Sequence, residues 1–77
     1  MYHRLIEDYL THYQPALKAE LMQEQALQTY LESQTSAMLD IHKVLLEQLA
    51  TSAPHLSQLQ REMEADQAVR ELFLPMS

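Results

Sequence analysis

The sequence predicts an all-α protein, and three observations predict it. The 77-residue chain contains no Gly, and a reading of its letters finds no Asn either. Tight β-hairpins draw on Asn-Gly, Asp-Gly or Gly at positive φ, so none can be built in the usual way. The remainder is rich in Leu, Ala, Gln, Glu and Met, all good helix formers. Apolar residues also recur at three- and four-residue steps along most of the chain. With Gly and Asn missing, reversals are expected to use Pro, Ser, Thr, Gln and Asp at negative φ.

The first segment runs from Tyr2 to Tyr13. Tyr2, Leu5, Ile6, Tyr9, Leu10 and Tyr13 form one apolar face, with Glu7 and Asp8 opposite. Pro15 then pushes Gln14 out of the helical region and suits the first position of a new helix. The second segment carries Leu17, Leu21, Met22, Ala26, Leu27, Tyr30 and Leu31, whose apolar positions drift round the axis.

The stretch "YLESQTSAMLD" (30–40) admits two readings. Leu27, Leu31, Gln34, Met38, Ile41 and Leu45 step by four and three, a heptad seam with one polar member. That seam permits a rod from Pro15 to about Thr51, roughly 55 Å long at 1.5 Å per residue. Against it, Ser33, Thr35 and Ser36 are mediocre inside helices and good as N-caps. The third segment, about Ser36 to Ala50, bears one stripe of Met38, Ile41, Leu45 and Leu49 and another of Leu39 and Leu46. Pro54 ends it.

The last segment weighs in favour of breaks. Leu56, Leu59 and Met63 share a face, whereas Ala65, Ala68, Val69, Leu72 and Phe73 lie roughly 140° round at 100° per residue. One straight helix cannot bury both sets against one surface. A break with Asp66 as N-cap resolves the conflict. A chain that breaks there without Gly or Pro is expected to break at Ser33–Ser36 as well. The expectation is a single domain, 1–77, forming a compact bundle of about five short helices.

Composition restricts function. Eleven acidic against five basic residues give a net charge of −6 with His neutral. Arg4, Lys18, Lys43, Arg61 and Arg70 are scattered, which argues against nucleic-acid binding. Protonating all four His would add four charges and bring −6 to −2. Contact with anionic lipid is therefore expected to strengthen as pH falls through about 6.5. The absence of Cys removes disulfides and thiolate metal sites. His3 with Glu7, and Asp8 with His12, are i,i+4 pairs read as surface interactions, so no metal or other cofactor is expected. Without Gly there is no phosphate-cradling loop and no G-x-S-x-G nucleophile, and an enzyme is not expected. No stretch reaches the roughly 18 apolar residues of a membrane span. "MYHRLIEDYL" carries Glu7 and Asp8 where a signal peptide needs an apolar run. The expected location is the cytoplasm, with peripheral contact at the inner membrane.

At this length, with "MYHRLIEDYL", Pro15 and Pro54 at helix junctions and the "LFLPMS" tail, the chain resembles the small bacterial secretion-activating PAS factor family. That resemblance covers the whole chain through length and segmentation. It implies a saposin-like fold, contact with lipid and promotion of protein secretion. The disulfide-forming cysteines typical of saposins are absent here. Three of the four Tyr lie in the first 13 residues, and Leu72-Phe73-Leu74-Pro75-Met76 ends the chain. Such residues suit a lipid headgroup boundary. The plainer reading packs Tyr9, Tyr13, Leu72 and Phe73 together to close the bundle's ends.

The resulting expectation is a non-catalytic factor that opens its helices onto lipid, pivoting at Pro15, Ser33–Ser36 and Asp66. The residues expected to contact lipid or a partner are Tyr2, Tyr9, Tyr13, Met38, Leu39, Ile41, Leu45, Leu46, Leu49, Leu72 and Phe73. The competing expectation is a protein–protein interaction module: a homodimer or an adaptor for a partner helix, built on the rod reading.

Overall fold

The computed structural model describes residues 2–75, so Met76 of the expected tail contact lies outside the described residues. The described residues form four helices and no strand. These are α1 (Tyr2–Tyr13), α2 (Pro15–Gln23), α3 (Leu27–Ser52) and α4 (Gln58–Phe73). The chain divides into two compact units, Met1–Ala37 and Met38–Ser77, with the boundary inside α3. All-α is correct. Among the described residues there are four helices and not the expected five: both expected internal breaks are absent, and one unexpected break falls at Glu24–Ala26.

In the first unit, α1 has the expected bounds. Tyr2, Ile6 and Leu10, one turn apart, are its buried residues. The helix stops where Pro15 requires: Gln14 still donates to Leu10 O at 3.0 Å, but its backbone has left the helical region (φ −137, ψ 56). Pro15 then opens α2 at a position where its missing N–H costs nothing. Lys18 ties α2 to α1, donating to Thr11 Oγ1 at 2.8 Å and lying 3.9 Å from Glu7 Oε1.

The expected second segment, which carried the chain on to Leu31, ends earlier. Glu24, Gln25 and Ala26 form a Schellman turn: Ala26 N–H bonds Leu21 O at 2.8 Å and Gln25 N–H bonds Met22 O at 3.1 Å. Gln25 occupies the left-handed position at φ 57. The expectation of negative φ throughout was therefore wrong. A left-handed non-Gly residue costs about 1–2 kcal/mol. The bonds closed by this turn contribute about 1 kcal/mol each. The two are comparable, so a chain without Gly can still end a helix this way.

Helix α3 runs through Ser33–Ser36 without a break, which corrects the stop expected there. Leu31 and Met38, seven residues apart on one face, are both buried. Burying such side chains contributes about 1.5–3 kcal/mol each. Interior Ser and Thr cost at most about 0.7 kcal/mol each against Ala. Burial wins over propensity. The rod reading was right about continuity here, although the helix starts at Leu27 and not at Pro15. Of the expected seam, Leu31 and Met38 are buried, Leu27, Gln34 and Leu45 are half-buried and Ile41 is exposed, while Thr35 and His42 beside it are half-buried.

In the second unit, α3 ends as Pro54 predicts. Thr51 Oγ1 and Ser52 Oγ donate back to the carbonyls of Glu47 (3.3 Å) and Gln48 (2.9 Å). Leu56 N–H bonds Ala53 O at 3.1 Å, closing a turn with Pro54 at its favoured second position. Ser57 then caps α4 in a reciprocal box. Gln60 N–H donates to Ser57 Oγ (3.2 Å), and Ser57 N–H donates to Gln60 Oε1 (2.9 Å).

Helix α4 passes through Asp66 unbroken, the second correction. The expected break assumed that both apolar sets had to be buried. Only Ala65 and Val69 are buried, and Leu59 and Met63 stay outside. Single scattered apolar side chains are ordinary on a protein surface, whereas Leu59 and Met63 stand together, one turn apart. A pivot at Asp66 is thus lost together with the one at Ser33–Ser36.

Candidate functional site

The expected contact residues fall into three groups. Tyr2 and Met38 are fully buried. Tyr9, Leu45, Leu46, Leu49 and Phe73 are half-buried. Tyr13, Leu39, Ile41 and Leu72 are exposed. The Tyr9 and Tyr13 rings contact each other in a tilted arrangement with centroids 5.0 Å apart. Four further apolar residues outside the expected set are exposed: Met22, Val44, Leu59 and Met63.

On α3 the exposed apolar residues lie on two flanks. Leu39 and half-buried Leu46, seven apart, share one. Ile41 and Val44, three apart, share the other, followed one turn on by Gln48 and Thr51. Val44 is 46% exposed. An open depression lined by Val44, Glu47, Gln48, Thr51 and Ser52 continues this strip toward the end of the helix. Asp40, four residues before Val44, and Glu47, three after it, border the strip and are exposed.

On α4, Leu59 and Met63 stand one turn apart and are 66% and 63% exposed. Continuing along the same face come Asp66 and Arg70, joined by an ion pair. Leu72 (68% exposed) belongs to the side of Ala65 and Val69 near the helix end. The phase analysis that separated Leu59 and Met63 from Ala65 and Val69 was sound. It identified two faces; the error lay in burying both.

The polar groups are mostly local. His3 Nε2 lies 3.5 Å from Gln28 Nε2, and Gln28 donates to Glu32 Oε1 at 3.1 Å. Thr35 Oγ1 is buried without a hydrogen-bond partner. Among the described residues, no group of three or more His, Asp or Glu side chains is arranged to hold a metal ion. Likewise, no helix is long and apolar enough to cross a membrane. Comparison with protein families, with characterised proteins and with solved structures returns no match.

Proposed function

We propose that this chain is a non-catalytic factor that contacts a membrane surface through apolar side chains on its helices and thereby promotes protein secretion. The observation that carries this reading is the pair Leu59 and Met63, one turn apart on α4 and about two-thirds exposed. Tyr13 and Leu72 add exposed apolar area at the ends of α1 and α4. A saposin-like opening would turn at the segments between helices: Gln14, Glu24–Ala26 and Ala53–Ser57.

Release of dye from anionic liposomes between about pH 5 and 8 tests this reading. A Leu59→Ser/Met63→Ser variant should lose about tenfold or more in vesicle affinity, given about 1.5–3 kcal/mol per large apolar side chain taken from water. Absence of both binding and release at every pH, with helicity intact, discards the reading.

A second reading, an interaction module for a partner helix or a second copy, is favoured by α3. Its 26 unbroken residues carry Leu39, Ile41 and Val44 exposed near the middle. Sedimentation at micromolar concentration separates the homodimer form of this reading from a monomer.

A further inference from the structure

We infer that Met63 is a redox-sensitive modification site: oxidation of its thioether to the sulfoxide by hydrogen peroxide releases the Leu59–Met63 face of α4 from a membrane, and a thiol-dependent reductase restores it. This switch rests on the membrane reading above, whose contact it regulates. Three observations carry it. Met22 and Met63 are 58% and 63% exposed and open to a small oxidant, whereas Met38 is fully buried. Of the two exposed residues, Met63 has exposed Leu59 one turn back, while Met22 has Lys18 and Ala19 there. Oxidation at Met63 therefore alters an apolar pair, and oxidation at Met22 does not. Finally, Ala65 and Val69 are the buried residues of α4. Met63 lies on the other face, so its conversion leaves the helix seated.

The step is a two-electron oxygen transfer. A lone pair of Met63 Sδ attacks one peroxide oxygen and the O–O bond breaks. The second oxygen takes up the proton of the first and leaves as water, so the sulfide is oxidised and the peroxide reduced. In the return step two thiols supply two electrons and two protons, the S–O bond breaks, the oxygen leaves as water and the thiols end as a disulfide. The sulfoxide is polar where the thioether was apolar, with no change in chain length or formal charge. Leu at the same position would offer similar apolar area and no such response. Met38 answers differently, because a sulfoxide in the core would cost stability. Its burial separates a change of surface from unfolding.

The experiment treats the full chain with hydrogen peroxide, locates the added oxygen by peptide mass spectrometry and measures binding to vesicles of phosphatidylglycerol and phosphatidylcholine in equal parts. Met63 and Met22 are expected to gain oxygen at least about tenfold faster than Met38. Vesicle affinity should fall about threefold or more as Met63 is oxidised, with helicity unchanged by circular dichroism. It should return after treatment with methionine sulfoxide reductases for both epimers. Met63→Leu should lose the peroxide response, read as the ratio of treated to untreated affinity, and Met22→Leu should keep it. Oxidation of Met38 as fast as Met63 in the native chain overturns the inference. A response that survives in Met63→Leu, or that comes with loss of helicity, also overturns it. Equal binding before and after complete oxidation of Met63 removes the switch and leaves the membrane reading standing. An untreated chain that binds no vesicle removes the membrane reading and the switch together.

Discussion

Arg70 Nε lies 3.0 Å from Asp66 Oδ2, one turn back along α4. The pair marks Asp66 as a residue inside a helix, where the sequence had suggested a cap at the start of a new one. Both side chains are partly exposed, so the pair itself is weak. Gln67→Pro is a sharp probe. Inside a continuous helix it costs about 3 kcal/mol or more, whereas just after an N-cap it would be tolerated.

Gln25 holds the left-handed position of the Schellman turn that ends α2. Gly has no Cβ to clash there. Gln25→Gly is therefore expected to raise stability by about 0.5–1 kcal/mol, less than the full left-handed penalty because Gly also loosens the unfolded chain. Gln25→Val should lower it. Chemical denaturation of the two variants beside the parent checks the sign of both effects.

Thr35 carries a buried hydroxyl oxygen with no partner. Replacing it by a methyl of similar shape removes the cost of taking that hydroxyl from water. Thr35→Val is expected to stabilise by about 1 kcal/mol. A loss of stability in the unfolding midpoint would show instead that Oγ1 is satisfied in solution.

Met38 and Met63 are the same residue type in opposite settings, fully buried on α3 and largely exposed on α4. Met38→Ala is expected to cost about 2–5 kcal/mol, transfer loss plus cavity. Met63→Ala should stay within about 0.5 kcal/mol. Equal losses in urea unfolding would refute the assignment of inner and outer faces. It would also remove the argument for Met63 as a membrane contact.

Much of the fold could be read where local chemistry and packing agree. Pro15 and Pro54 separated helices as expected because a Pro ring acts on its own neighbours whatever the tertiary context. The bounds of α1 followed from six apolar residues on one face. Ser33–Ser36 and Asp66 misled because their preferences are worth only tenths of a kcal/mol, less than one buried Leu or Met. The turn at Gln25 was hidden for a different reason, since a left-handed Gln carries no sequence signature. For the contact surface, phase separated the two faces of α4 but could not tell which one faces water. Val44 was overlooked because it belongs to neither predicted stripe, although it follows Ile41 by three residues.

Amide hydrogen exchange followed by NMR tests the central claim most directly: α3 and α4 are unbroken, so any opening must occur between helices. The account predicts continuous protection from Leu31 through Leu49 and from Glu62 through Arg70, with fast exchange confined to the helix ends and the linking segments. Rapid exchange at Ser33–Ser36 or Asp66–Gln67, between protected neighbours, would contradict it and restore a jointed chain.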